Sequence, residues 1–241
     1  MGMLDLYHYE PTANSMKVLL CFKEKQLEFT SHYVDLHNFE QHSPEYVAIN
    51  PNGQVPALVH DGAVITESTV INEYVDELFG DIPLRPATAL GRARMRIWTK
   101  FVDEYYNPSV SLIGWHHIIK GIVAELTEEE FEEKLKKIPL EEQRVKWRLA
   151  AKQAFPKEEL DEAKRKIGHS IQRMEKQLAE TPWLAGDDYS LADVACYTLT
   201  AAVPRFFPEF LSETVAPHTW KWLQTMNERP AVKAALAMSR R

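Results

Sequence analysis

Alternating apolar and polar side chains open the chain. Leu4, Leu6, Tyr7 and Tyr9 read as a first strand, and Pro11 and Asn14 mark the loop after it. Met16, Val18, Leu19, Leu20 and Phe22 then follow helical spacing to about Lys25. A second strand is expected from Phe29 to Val34, followed by an irregular stretch with a short helix around His42 to Ile49. Val55 to Val59 and Ala63 to Ile65 flank Asp61-Gly62, a dipeptide suited to a two-residue hairpin turn. Val70, Ile71, Tyr74, Val75 and Leu78 form a helical stripe, with Ser68 in the N-cap position. The predicted order is β-α-β followed by β-β-α.

Pro83, Arg85-Pro86 and Gly91 end this pattern, and no comparable strand signal follows. A linker is therefore expected at 81–91, between an α/β domain at 1–80 and an all-helical domain at 92–241. In the second domain Met95, Trp98, Phe101, Val102 and Tyr105 share one face, and Ile167, Ile171, Met174 and Leu178 another, which predicts a helix bundle. Ser190 and Asp193 make an acidic variant of the capping box, with Tyr189 and Val194 at the staple positions. The charge-rich stretch 125–166 reads as an exposed helical insertion; the sharper alternative is that it partly covers a substrate cleft.

With 45% hydrophobic residues in 241, the chain can bury real cores. Its net charge of −7, from 35 acidic and 28 basic residues, comes without a basic stripe that could track phosphates, which argues against nucleic acid as a partner. Cys21 and Cys196 are far apart and form no C-x-x-C, so neither a disulfide framework nor a thiolate metal site is indicated. No basic segment precedes an apolar run near the start, and no stretch reaches the roughly 18 apolar residues of a membrane span. These features together predict a cytoplasmic protein that does not enter membranes.

Two short segments carry candidate chemistry. Pro56 cannot donate to a strand ladder, so a cis Val55-Pro56 bond is expected, turning the amide and carbonyl of Val55 outward to pair with a peptide-like ligand. Ser68, before a helix, can receive a carboxylate together with the first-turn amides, and Glu67 beside it can receive an ammonium group. A zwitterionic γ-glutamyl end matches that pair; a plain capped helix is the alternative.

With Asn50-Pro51-Asn52-Gly53-Gln54-Val55-Pro56-Ala57-Leu58 upstream of Glu67-Ser68, the chain resembles the glutathione S-transferases along essentially its whole length. That resemblance implies an α/β thioredoxin-like N-terminal domain and an all-α helical-bundle C-terminal domain. More narrowly, the chain is similar to the bacterial glutathione-dependent β-etherases at Asn14-Ser15, Phe39 to Ser43, Trp98 to Lys100, Val102 to Tyr105, Ile113 to Trp115 and Lys146 to Arg148. The implied reaction cleaves β-aryl ethers of lignin-type ketones, with glutathione consumed as co-substrate and no metal. A thioredoxin-like redox enzyme would carry a nucleophilic cysteine where Asn14 and Ser15 stand. Here the two side chains are expected to hold a glutathione thiolate, Ser15 as principal donor and Asn14 as helper, unless one merely caps the next helix.

The same resemblance puts Gln41 and His42 at the glycine carboxylate of glutathione and Gln54 beside the Val55-Pro56 edge. Tyr105, Tyr106, Trp115 and His116 are expected to form an aromatic slot for the ether, while Trp98, Phe101 and Cys21 belong to the core. His116 and His117 lack metal-ligand spacing. The resemblance also implies a homodimer. Two alternatives remain open at this level: a transferase for halides or epoxides, and a non-catalytic module of the same fold.

Overall fold

Burial alternates residue by residue along β1 (Leu4–His8), because successive side chains point to opposite faces of a sheet. The structure, a computed structural model, describes residues 2–240. β1 pairs in parallel with β2 (Thr30–Tyr33) and antiparallel with β3 (Ala57–His60), which pairs antiparallel with β4 (Ala63–Thr66), giving the order β2-β1-β3-β4. Asp61 and Gly62 both take positive φ, +49° and +82°, as the tight hairpin between β3 and β4 requires. Leu6 and Leu58 face α1 (Ala13–Glu24) and α3 (Ser68–Leu78) in the main core. Tyr7 and Ala57, one residue out of phase, join Val34 and Tyr46 on the other side, where α2 (Pro44–Val47) lies.

Among the boundaries that differ from the sequence expectation, three bear on the site. β3 begins at Ala57 rather than Val55, since the chain bends at Val55 before Pro56. α1 begins at Ala13, ahead of the first apolar residue of its stripe. Ser68 is the first residue of α3 and not its N-cap, because Glu67 takes that position with φ +66°.

The helical part starts with α4 (Ala89–Phe101), which runs through a π turn at Val102–Tyr106 into α5 (Asn107–Ile122). Pro108 explains the interruption: it has no N–H for the regular ladder, and its ring crowds the carbonyl four residues earlier. The extra residue of the wider turn shifts the buried stripe, so Val102 and Tyr106 point inward and Tyr105 lies at the edge.

Contrary to the expectation of an exposed insertion, α6 (Glu128–Lys136) and α7 (Glu141–Ala151) form a second core. Phe131, Leu135, Trp147 and Ala150 are buried there against Ile119 of α5 and Phe39 of the first domain. The charges cover only the outer side. α8 (Lys157–Leu178) then packs along α5, and α9 (Leu191–Thr200) is buried almost throughout. Asp193 closes the capping box at the start of α9 and accepts from the Leu184 amide at 3.1 Å and Trp222 Nε1 at 3.0 Å. Burial still pushes its carboxyl up to about 6. The chain continues through α10 (Val203–Phe206), α11 (Pro217–Glu228) and α12 (Pro230–Leu236). α1 packs against α3, α9 and α12 together, so one core spans both parts of the molecule.

Candidate active site

The site grows from helix starts. Ala13 has φ +43°, which turns the chain from the loop after β1 into α1. Thr12 occupies the N-cap without a side-chain cap bond, and the first intrahelical bond runs from the Met16 amide to the Thr12 carbonyl. Asn14 and Ser15 are thus the second and third helical residues, where amides lack intrahelical acceptors and the helix dipole is positive. Neither caps α1. Ser15 Oγ accepts the Tyr9 amide at 3.0 Å, which leaves its hydroxyl proton to be donated elsewhere. Asn14 Oδ1 is buried with no partner among the described residues.

The Val55-Pro56 bond is cis, and the amide and carbonyl of Val55 make no backbone hydrogen bond among the described residues. Tyr46 Oη and Asn50 Nδ2 hold the preceding Gln54 carbonyl at 2.6 and 2.7 Å, while the Gln54 side chain is exposed. At α3 the first intrahelical bond joins the Ile71 amide to the Glu67 carbonyl, so the amides of Ser68, Thr69 and Val70 have no intrahelical acceptor. Glu67 is an exposed carboxylate in a backbone conformation that a non-glycine residue adopts at a cost, as functional sites often require.

Lys17 was not anticipated at this site. Its side chain is 1% exposed, with Nζ 2.5 Å from Asp103 Oδ1 of the π turn and 3.4 Å from Thr69 Oγ1. It adds positive charge beneath the first turn of α3 and ties the two domains together there. A lysine inside the apolar run Met16 to Phe22 was the available signal, since a buried ammonium needs a partner.

Gln41 and His42 lie in a 3-10 turn at Glu40–His42, both buried. Gln41 Oε1 and both ring nitrogens of His42 lack partners among the described residues, and burial drops His42 to about 4, leaving the ring neutral. Gly53, at φ +59°, presses on that ring: a Cβ there would stand 2.6 Å from His42 Nδ1.

On the aromatic side the structure separates the expected residues. Tyr106 is 0% exposed with its hydroxyl 3.3 Å from Thr200 Oγ1, so it is a core residue and the substrate role expected for it does not hold. The phase shift at the π turn is the reason. Tyr105 is half-buried, stacked on Phe101 and bonded to His169 Nδ1 at 3.1 Å, so its contacts run to α4 and α8 rather than to the first domain. Trp115 meets Trp147 at 5.0 Å between centroids, Trp147 meets Phe39 at 4.5 Å, and Phe39 meets His42 at 6.2 Å. This chain of rings connects α5 to the Gln41-His42 turn. His116 turns toward His117 and Phe155, its Nδ1 buried without a partner.

Known family models match most of the chain. Sequence models for "Glutathione S-transferase, N-terminal domain" and "Glutathione S-transferase, C-terminal domain" match residues 2–77 and 119–230. The chain is 46% identical to Protein LigF of Sphingobium sp. strain SYK-6, over 99% of this chain and 95% of that protein. The chain belongs to the glutathione S-transferase family. The crystal structure of Beta-etherase LigF from the same source superposes with a TM-score of 0.95 at 45% identity, covering 98% of this chain and 100% of that one. Glutathione transferase F7 from Populus trichocarpa, 26% identical, gives a TM-score of 0.75 with 98% of each chain covered. As a glutathione S-transferase this chain has the thioredoxin-like sheet and the helical second part of its family, which uses glutathione. Among the described residues no helix is long and apolar enough to cross a membrane, and no cluster of three or more His, Cys, Asp or Glu could hold a metal.

Proposed function

We propose that this protein cleaves β-aryl ethers of aromatic ketones by attack of the glutathione thiolate on the ether carbon. The observation that carries the reading is the full-length match to a β-etherase, at 46% identity in sequence and a TM-score of 0.95 in fold. The orphaned polar groups support it, because they suit the parts of a γ-glutamyl tripeptide. The α3 amides and Ser68 take the γ-glutamyl carboxylate and Glu67 its ammonium group. Val55 pairs with the peptide backbone beside Pro56 and Gln54, and Gln41 and His42 receive the glycine carboxylate. Ser15 donates its free hydroxyl proton to the sulfur, with Asn14 beside it.

A thiol with pKa of about 8.5 is only a few per cent ionised at neutral pH, so these donors and the positive end of α1 serve to hold the thiolate. A sulfur electron pair then forms the S–C bond, the C–O pair departs with the aryl oxygen, and the phenolate gains a proton. The adjacent ketone makes the attacked carbon more electrophilic. Trp115 and Tyr105 offer flat apolar surface for the aryl groups.

A second copy of the chain completes the assembly. The outer face of α4 exposes Ile97 in a shallow groove beside Arg92, Arg96 and Lys100, and Leu90 of α4 and Val70 of α3 are exposed as well. Two buried cysteines without disulfides suit a reducing cytoplasm. The test of the reaction is mass spectrometry after incubation with glutathione and a β-aryloxy ketone. Equal amounts of free phenol and glutathione thioether are expected; conjugation of a chlorodinitrobenzene without ether cleavage would favour the broader transferase instead.

A further inference from the structure

α7 carries three basic side chains, of which two are neutralised: Arg144 pairs with Glu141 at 2.7 Å and Arg148 with Glu132 at 2.8 Å. Lys146 does not. Glu142 stands one turn earlier in the position that favours a helical ion pair, yet no such pair forms. Lys146 turns inward, placing Nζ 4.4 Å from the ring centroid of Trp115 and 3.3 Å from Ser111 Oγ, one turn apart on α5. No carboxylate lies within ion-pair reach among the described residues, and dehydration alone lowers its pKa to about 8.

A half-buried ammonium with only a hydroxyl and an indole face beside it has lost hydration without gaining a counter-charge. Such a group is stabilised when a negative oxygen arrives. Its surroundings say where that oxygen would come from. The next residue, Trp147, packs on Phe39, two residues before Gln41, and on Trp115. Tyr9, whose amide bonds Ser15 Oγ, stacks near His37 in the same loop at 6.0 Å. Lys146 therefore lies beside the rings Trp115, Trp147 and Phe39, which end at the 37–42 loop, and His37 of that same loop stacks on Tyr9 next to Ser15.

We propose that Lys146 is a catalytic residue that hydrogen-bonds the aryl ether oxygen and stabilises the negative charge it gains as the C–O bond breaks. This rests on the ether-cleavage reading above. The sulfur lone pair forms the new S–C bond, the C–O pair moves onto the aryl oxygen, and the Lys146 ammonium pairs with the resulting phenolate. A proton passes from Nζ to that oxygen, and Lys146 regains one from water after the phenol leaves. Since phenols titrate near 10, the transfer runs downhill from an ammonium of depressed pKa. Ser111 accepts one Nζ hydrogen and so keeps the other two aimed off the helix.

The experiment is a leaving-group series. β-Aryloxy ketones differing only in the acidity of the departing phenol are turned over at saturating glutathione by wild type, Lys146→Met and Lys146→Arg, with glutathione binding measured calorimetrically in all three. Lys146→Met is expected to lower kcat about 100-fold for the most basic phenolates and little for a nitrophenolate, on the scale of losing one oxyanion donor. Lys146→Arg should recover much of the loss, with glutathione affinity unchanged in every variant. Equal slopes of log kcat against phenol pKa for wild type and Lys146→Met would overturn the role of Lys146 while leaving ether cleavage intact. Should wild type release no phenol from any ether, the underlying reading falls, and this role with it.

Discussion

Ser15 has one hydrogen bond satisfied and one left to give: its oxygen accepts the Tyr9 amide and its proton has no acceptor among the described residues. That division is what a thiolate donor needs. Ser15→Ala is expected to lower kcat/KM about 10- to 100-fold, the ~1.5–3 kcal/mol of a hydrogen bond to a charged group. The ultraviolet absorbance of bound thiolate, followed against pH, should show the sulfur titrating higher in the variant; an unchanged curve would remove Ser15 from this role. His42 gives a second residue-scale test, because burial holds its free-state pKa at about 4. Pairing with a glycine carboxylate raises that pKa, so binding takes up a proton at any pH between the free and bound values. Affinity then falls as pH rises through that interval. S-Methylglutathione, which has no thiol to ionise, isolates the effect: calorimetry in buffers of different ionisation enthalpy should show uptake in wild type and none in His42→Gln. Absence of uptake in wild type would place the carboxylate elsewhere.

At the scale of elements, the sequence is most readable where one period runs unbroken. The four strands, α3 and the Ser190 box follow their alternation, stripe or cap chemistry closely enough to be located within a few residues. Three features lay beyond it. Pro108 gives no advance notice of a π turn, yet that turn carries Tyr106 inward and leaves Tyr105 at the edge. Glu67 takes a positive φ that no local propensity favours, displacing Ser68 into the helix. In α6 and α7, dense charge conceals an inward stripe of Phe131, Leu135 and Trp147, whose partner Phe39 lies far back in the chain, in the first domain. The place of Asn14 and Ser15 near the start of α1 was legible from position alone; the aromatic wall was not, because it is made by tertiary contact. α4 yields its own test. Ile97 is 56% exposed on a face that carries apolar and basic side chains, and Ile97→Glu would bury a carboxylate if a second copy covers it. Light scattering should give about twice the 27.8 kDa chain mass for wild type and a shift toward the single chain for the variant. A wild-type mass of one chain would contradict the dimer.

For the molecule as a whole, the arrangement assigns one task to each part. The sheet and its two helix starts present amides and hydroxyls at an edge with no basic stripe for polyanions, a setting for a small zwitterionic peptide. α1 is held between α3, α9 and α12 in a common core, so Asn14 and Ser15 sit on a rigid support. Asp76 reinforces it by pairing with Lys25 and Arg85 at 2.9 Å each, fixing the connection between the two parts. α5 and α7 then close over the 37–42 loop through Phe39 and Trp147, bringing aromatic surface to the edge of the first domain. The reaction read for this support is displacement of the aryl oxygen by glutathione sulfur. Its most direct measurement is phenol release from a fluorogenic β-aryl ether ketone with glutathione and, in parallel, with S-methylglutathione. Phenol should appear with glutathione, matched one for one by thioether, and not with the methylated peptide; phenol released equally in both, or in neither, would contradict the account.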